Sequence, residues 1–145
     1  MYYVYKRLHC WIRVDGEGSF TIYVRDPDHK KSVMRRVVVE PRFYIKLIEQ
    51  DKLILEELKA YFKCGNVYIQ KDARLNHQTC YRFEVANRKH LSEIIIPFFK
   101  ENPPKFPTKQ RDFTLFCQMM ELIDKGEHLN LIGLRNLFEL KQKMH

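Results

Sequence analysis

The sequence predicts an α/β (α+β) protein with the element order αββαββα and extra helices on its C-terminal side. Apolar and polar residues alternate in four short segments, a pattern that is typical of half-buried strands. Apolar residues at helical spacing lie between the two strand pairs and again after the second pair. The 145 residues contain no low-complexity tract and no long linker, so we expect a single domain over residues 1–145.

The first half of the chain predicts one helix followed by two strands. Residues 2–14 have the length of a helix, and the glycine-rich run at residues 15–18 ends it because Gly favours helix ends and turns. The strands are expected over residues 19–25 and 36–48, where Pro41 indicates an edge position or a bulge. The apolar side chains on one face of these strands should pack on helices: Phe20, Ile22, Val24, Phe43, Ile45 and Leu47.

The second half predicts one helix, two strands and three further helices. Asp51 is placed to cap a helix over residues 52–63, whose apolar stripe contains Leu55, Leu58 and Phe62. Strands over residues 67–71 and 79–86 repeat the design of the first two, with an apolar face towards the helices. Further helices are expected over residues 88–100, 109–123 and 131–143, with Asn87 capping the first of these and Asn130 the last.

The other face of the predicted strands is polar, basic and aromatic. Side chains of these types reach base edges and phosphates, while the plainer interpretation is a solvated surface. The net charge of +8 favours nucleic acid as a partner, and no run of apolar residues is long enough to predict a membrane partner. The candidate nucleic-acid-binding residues on this face and in the basic loop after the first strand are Ser19, Thr21, Tyr23, Arg25, Lys30, Lys31, Arg42, Tyr44, Lys46, Tyr68, Gln70 and Arg82.

Two acids, Asp15 and Glu17, lie where the first helix meets the first strand, and each is followed by Gly. Chemistry at a phosphodiester needs a hard divalent cation, and carboxylate oxygens bind such cations. The alternative interpretation is a glycine-rich turn with solvated acids. The four cysteines have no C-x-x-C spacing and the six histidines have no ligand spacing, so neither set predicts a zinc site.

Six short segments of the chain are informative when they are taken in their order along the sequence. They are V-D-G-E-G-S-F at residues 14–20, R-F-Y-I-K at 42–46, F-K-C-G-N-V-Y at 62–68, I-I-P-F-F at 95–99, T-K-Q-R-D-F-T-L-F at 108–116 and G-E-H-L-N-L-I-G-L at 126–134. In this order they resemble segments of the LAGLIDADG homing endonucleases of the single-motif, homodimeric type. The first is similar to the second half of that family's signature in the form I-D-G-E-G-S-F.

The resemblance implies the LAGLIDADG homing endonuclease fold, in which a four-stranded antiparallel saddle sheet lies in the DNA major groove. Glu17 matches the family's metal-binding acid, with Gly16 beside it, and the implied cofactor is Mg²⁺ or Mn²⁺. Lys109 matches the basic residue near the scissile phosphate. Gln50 lies close to the solvent-ordering position at the end of the second strand, although Leu47 falls near the usual glutamine.

The resemblance also implies a homodimer, in which two signature helices pack on a two-fold axis. The implied interface residues are Trp11, Ile12, Val14 and Asp15, and Asp15 matches the more structural of the family's two acids. The first half of the signature departs from the family pattern, because Cys10-Trp11-Ile12-Arg13 replaces L-A-G-L or L-T-G-F. The small residues normally found there let two helices touch closely. Either the helices lie further apart, or the register differs, or selection on cutting has relaxed.

Two functions follow from these observations. The first is a site-specific endonuclease of the homing type that hydrolyses both strands of a pseudo-palindromic site in double-stranded DNA. The second is a catalytically inactive relative that binds structured or ribosomal RNA, as an intron maturase or a component of an organellar ribosome or other ribonucleoprotein. Genes of this family often lie in organellar introns, so the resemblance implies a mitochondrial or chloroplast location.

Overall fold

A computed structural model of the chain describes residues 18–28, 37–71, 74 and 76–145. The predicted first helix lies outside the described residues, and so do Glu17, Gly16 and the four predicted interface residues. Lys30 and Lys31 of the basic loop lie outside them as well. What the sequence predicts for these residues stays a prediction.

The described strands belong to one four-stranded sheet. They are β1 (Gly18–Val24), β2 (Val39–Ile48), β3 (Asn66–Gln70) and β4 (Cys80–Val85), in the spatial order β1-β2-β4-β3. β4 pairs antiparallel with β2 on one side and with β3 on the other. This order makes β3 an edge strand, and the α+β class with a four-stranded sheet is confirmed.

The described helices come where the sequence predicts them. α1 (Lys52–Phe62) connects β2 to β3, and α3 (Pro107–Asp124) and α4 (Leu131–Gln142) follow the second strand pair. Between β4 and α3 lie three consecutive helical segments that we call α2, namely Arg88–His90, Leu91–Ile95 and Ile96–Glu101. Short 3-10 turns at Glu49–Asp51 and Glu127–Leu129 precede α1 and α4. None of the helices in the described ranges is long and apolar enough to cross a membrane.

The described residues group into two compact units, and the first contains residues 18–19 and 42–105. In this first unit the apolar faces of β2 and β4 are covered by α1 and α2. Phe43 of β2 packs on Phe99 of α2 with ring centroids 5.1 Å apart. Phe83 of β4 stacks on Phe62 of α1 at 6.2 Å. The alternation of buried residues predicted for these strands is confirmed.

The second unit contains the described residues 20–28, 37–41 and 106–145. Phe20 of β1 packs on Phe113 and Phe116 of α3, with ring centroids 5.0 and 5.2 Å apart. α4 packs on α3 and buries Leu134 and Leu137. The prediction that residues 1–145 form a single domain stays a prediction.

The predicted caps of two helices are confirmed, and one is wrong. The Asn87 side chain accepts a hydrogen bond from the backbone N–H of His90 at 3.1 Å, and Asn130 accepts one from Gly133 at 2.7 Å. Asp51 stands at the N-cap of α1, but its side chain makes no capping hydrogen bond with the described residues. The 3-10 turn Glu49–Asp51 leads the backbone directly into that helix instead.

Two further local features differ from the sequence-based expectation. The inner face of β3 is not buried, since Ile69 is 50% exposed, because an edge strand receives less cover from the helices. The segment Leu91–Ile95 within α2 is π-helical. It lies just before Pro97, which has no N–H to donate to the carbonyl of Glu93 and whose ring would clash with that carbonyl in a regular α-helix. The wider turn accommodates the proline.

Candidate nucleic-acid interface

In the first unit, the polar sides of β2, β4 and β3 form a surface that we call the outer face. It consists of the residues that alternate with the buried ones, and strand pairing arranges them in rows across the three strands. One row contains Tyr44, Glu84 and Asn66. The next row contains Lys46, Arg82 and Tyr68. A third row contains Ile48, Cys80 and Gln70. The structure therefore brings six predicted nucleic-acid-binding residues together on this surface, namely Arg42, Tyr44, Lys46, Tyr68, Gln70 and Arg82.

Arg82 lies in the middle of the outer face and is held by two neighbours. Its guanidinium carbon lies 3.6 Å from the centroid of the Tyr44 ring, which is cation–π contact. Its Nη2 lies 2.9 Å from Oε1 of Glu84, and Nη1 of Arg42 lies 3.7 Å from the same oxygen. The Arg82 side chain is only 25% exposed, and that of Glu84 is 14% exposed. A long, flexible side chain is thus held in one orientation by a ring and a carboxylate.

Cations of the outer face lie close together. Lys46 stands directly opposite Arg82 in the β2–β4 register. Like charges in directly opposed positions destabilise an antiparallel pair, and here Glu84 offsets part of that repulsion. A polyanion bound to this face would offset the remaining repulsion between Lys46 and Arg82. Packing alone therefore does not explain why two cations face each other in the middle strands of the surface.

Further predicted residues lie on β1 and directly after it. Ser19, in the first unit, is half-buried. In the second unit Tyr23 is 53% exposed, and Arg25, which follows β1, is half-buried. The hydroxyl oxygen of Thr21 accepts a hydrogen bond from Nζ of Lys141 in α4 at 3.2 Å. Its own O–H remains a donor, which is the role that a phosphate contact requires.

α4 is tied to the loop after β1 by a second cation. Nε and Nη2 of Arg135 donate to Oδ1 of Asp28 at 3.2 and 2.8 Å. This hydrogen bonding, together with the attraction of the carboxylate charge, raises the pKa of Arg135. Sequence reasoning did not find Arg135 or Lys141, and no local pattern signals them, because their partners lie 107 and 120 residues away in the chain.

Lys109 lies in the first turn of α3, which begins with Pro107. Pro is favoured at the first helical position, so the start of this helix is well determined. A cation in the first turn opposes the helix dipole, and this described turn contains no acid to offset it. The helix dipole therefore disfavours a lysine at this position, whereas an anion bound at the helix N-terminus would be favoured there.

Gln50 is exposed in the 3-10 turn after β2. The backbone N–H of Glu49 donates to the carbonyl of Thr79 at 2.9 Å, which joins this turn to the residue directly before β4. Gln50 therefore occupies the strand end at which the sequence analysis placed it. It belongs to the first unit and Lys109 to the second.

The predicted metal residues are Glu17 and Gly16, which lie outside the described residues. Within the described ranges, no three or more His, Cys, Asp or Glu residues are grouped so that they could hold a metal ion. A carboxylate and a backbone carbonyl are hard oxygen donors, and such donors suit Mg²⁺.

The model of the LAGLIDADG endonuclease family matches residues 14–120, which is most of the chain. The chain belongs to the LAGLIDADG endonuclease family. The matched range begins just before the acidic run around Glu17 and extends through most of α3. It therefore includes the whole outer face as well as Lys109.

Curated relatives of this LAGLIDADG chain are fungal. Probable intron-encoded DNA endonuclease 1 of Mycosarcoma maydis is 40% identical over 102 residues, which are 70% of this chain and 32% of that protein. Probable intron-encoded endonuclease 2 of Neurospora crassa is 32% identical over 133 residues, which are 90% of this chain and 27% of that protein. The chain thus spans about a quarter to a third of the length of these relatives.

Solved structures of similar fold are LAGLIDADG and homing endonucleases. The homing endonuclease I-TnaI is 31% identical with a TM-score of 0.74, and the match covers 94% of this chain and 87% of that one. I-LtrWI bound to target DNA is 27% identical with a TM-score of 0.78, and the match covers 95% of this chain and 43% of that one. I-SmaMI bound to cleaved DNA is 27% identical with a TM-score of 0.76 over 94% and 43%. These likenesses confirm the predicted fold, and the relatives named here give the RNA-binding alternative no support.

Glu84 is the outer-face residue whose role sequence reasoning missed. It does not belong to the predicted nucleic-acid-binding residues, and a carboxylate by itself repels phosphate. The signal was present in the sequence, since Arg82 and Glu84 are two residues apart in one strand and must therefore share a face.

Proposed function

We propose that this chain is a homing-type DNA endonuclease that hydrolyses phosphodiester bonds in both strands of a pseudo-palindromic duplex site, acting as a homodimer. One observation carries the proposal. A chain of the LAGLIDADG endonuclease family presents two directly opposed cations, Lys46 and Arg82, in the middle of an ordered outer face. Several solved neighbours are DNA complexes, which supports duplex DNA as the partner.

The dimensions of the outer face suit the major groove. The major groove of B-DNA is about 12 Å wide and admits a two-stranded ribbon. Outward residues that are two apart along a strand are separated by about 6.8 Å, which corresponds to about two base-pair steps. Tyr44 and Lys46 on β2, with Arg82 and Glu84 on β4, would therefore meet successive pairs of base steps.

The proposed catalytic residues are Glu17, Lys109 and Gln50. Glu17 and the carbonyl of Gly16 would hold Mg²⁺ or Mn²⁺, which supplies charge neutralisation at the scissile phosphate and a water of lowered pKa. Lys109, in the first turn of α3, would supply a cation that stabilises charge developing on the phosphate. Gln50, at the end of β2, would orient a water molecule.

The chemistry of cutting two strands supports the proposed homodimer. One signature segment supplies one Glu17, and two strand cuts need two such acids. Trp11, Ile12, Val14 and Asp15 are the proposed interface residues. The intron-encoded relatives support an organellar gene, and we include a mitochondrial or chloroplast location in the proposal.

Selection on a randomised duplex library tests the proposal. The wild-type chain, incubated with Mg²⁺ or Mn²⁺, should enrich cut duplexes that share a pseudo-palindromic site. Glu17→Gln should abolish cutting of that site and leave binding near normal, because the amide keeps the shape and loses the charge that holds the cation. The matched control is Glu56→Gln on the exposed side of α1, which makes the same charge change and should cut normally.

Each other outcome of the selection counts against a stated part of the proposal. No cut duplex from the wild type, together with tight binding to structured RNA, would overturn the endonuclease function in favour of RNA binding. Equal cutting by Glu17→Gln would overturn the role of Glu17. A strictly monomeric mass by light scattering, with and without the selected duplex, would overturn the homodimer.

A further inference from the structure

We propose that Arg82 reads a guanine in the bound duplex, and that Glu84 and Tyr44 are positioning residues that hold its guanidinium for that task. The inference rests on the proposed function and deepens it, since it assigns one base contact of the site. It begins from the contrast between Arg82 and Lys46. These two cations stand opposite each other on neighbouring strands, yet their surroundings differ.

The side chain of Arg82 is constrained on two sides. The ring of Tyr44 covers a face of the guanidinium plane at 3.6 Å, and the carboxylate of Glu84 holds Nη2 at 2.9 Å. Its Nε is buried and has no hydrogen-bond partner among the described residues. The hydrogens that remain for a ligand are therefore on the two terminal nitrogens, because Nη1 carries two and Nη2 needs only one for Glu84.

A guanidinium held in this way suits a base edge better than a phosphate. Guanine presents two acceptors, O6 and N7, in the major groove, and a planar pair of N–H groups matches both at once. The neighbouring carboxylate argues in the same direction. Glu84 would repel a phosphate that approached Arg82, whereas it would repel the uncharged edge of a base much less.

The Lys46 side chain, in the same row, differs from that of Arg82 in its surroundings. It is exposed, and its ammonium is a flexible point charge without a fixed plane of donors. We expect it to contact phosphate and to add affinity without base preference. The row would thus place Arg82, which recognises a base, directly opposite Lys46, which binds phosphate.

A pool of fully randomised DNA duplexes, selected by binding without a divalent cation, provides the test. The wild type should enrich guanine at one position for each bound chain. Arg82→Lys keeps the charge and loses the planar donors, so discrimination at that position should fall by about 5- to 150-fold. Lys46→Ala, the matched control, should weaken binding to all duplexes evenly and leave the guanine preference in place.

Glu84→Gln gives the sharpest signature, because two readouts should move in opposite directions. Overall affinity for DNA should rise, since a negative charge leaves the outer face, while guanine preference should fall at the same position that Arg82→Lys affects. Glu56→Gln on α1 makes the same charge change away from the outer face and should leave the preference unchanged. Tyr44→Leu should also relax the preference, and a thermal melt of each variant shows whether it is folded.

The possible results separate this inference from the proposed function. If duplexes are bound but Arg82→Lys keeps the wild-type base preference, the reading role is overturned while the endonuclease proposal stands. If Glu84→Gln and Tyr44→Leu both fold and keep the full preference, their positioning role is overturned. If the wild type retains no duplex at all, the proposed function fails, and this inference fails with it.

Discussion

Replacing Lys109 by Ala should reduce cleavage without reducing stability. The physical reason is its position in the first turn of α3, where a cation opposes the helix dipole. Removing that charge favours the helix by about 0.3–1 kcal/mol at low ionic strength. Ala is also at least as good a helix former as Lys. The free energy of unfolding of Lys109→Ala should therefore be equal to or slightly higher than that of the wild type.

The effect on cleavage has the opposite sign. If Lys109 stabilises charge on the scissile phosphate, its loss should slow single-turnover cleavage by about 10²–10³-fold, the range for a lost electrostatic stabiliser. That factor corresponds to about 2.7–4 kcal/mol of transition-state stabilisation. The assay uses the duplex selected by the wild type, with saturating protein and Mg²⁺. Urea denaturation of the same preparations gives the free energy of unfolding.

Lys59→Ala is the matched control for this prediction. Lys59 is an exposed lysine in the last turn of α1, where a cation is favourable for the helix. Its removal should cost a few tenths of a kcal/mol of stability and should leave cleavage unchanged. If Lys109→Ala loses stability and activity together, Lys109 is a structural residue and the reasoning from the helix dipole is wrong. If it keeps full cleavage, its catalytic role is wrong.

Three further predictions concern binding and stability. The logarithm of DNA affinity should fall linearly with the logarithm of salt concentration, and Lys46→Ala should reduce the slope by about 0.9 if it removes one phosphate contact; an unchanged slope would contradict that contact. Phe116→Ala should destabilise the chain by about 3–5 kcal/mol in urea denaturation, because the fully buried ring packs on Phe20; a loss below 1 kcal/mol would contradict this packing. Gly133→Ala should destabilise the chain because a Cβ at position 133 would overlap the Glu127 carbonyl. The loss should exceed that of Asn130→Ala, which removes a helix cap and costs about 1 kcal/mol. The reverse order in thermal melts would contradict the geometry.

The faces of the strands were predictable because they depend on local alternation. Successive side chains in a strand point to opposite sides, so Phe43 and Arg42 had to be on different faces whatever the strand paired with. The N-caps at Asn87 and Asn130 were predictable for the same reason, since a cap bonds to a backbone N–H three residues away. The start of α3 at Pro107, two residues before the predicted start, also has a local cause in the preference of Pro for that position.

The partners across strands were not predictable, because register is a non-local property. Nothing near Lys46 in the sequence indicates that Arg82 will stand opposite it, or that Tyr68 will complete the row. The same limit explains β3, whose edge position follows from the order β1-β2-β4-β3 and leaves Ile69 half exposed. The bonds from α4 to Thr21 and Asp28 join residues more than 100 positions apart. The acidic centre around Glu17 lies outside the described residues, so its prediction rests on the sequence and the family match.

The strand register places a residue suited to DNA affinity opposite a residue suited to base selectivity on the same surface. Two opposed cations destabilise the free sheet, and an acid that relieves their repulsion also weakens the attraction of DNA. Glu84 is tolerable on such a surface because it is paired with Arg82 and is only 14% exposed, so its charge is largely directed at the guanidinium. Affinity can then be supplied by exposed lysines such as Lys46, whose contacts are indifferent to sequence. Selectivity requires the opposite property, a donor that cannot rotate to follow a phosphate, and the ring of Tyr44 together with the Glu84 carboxylate gives Arg82 that property.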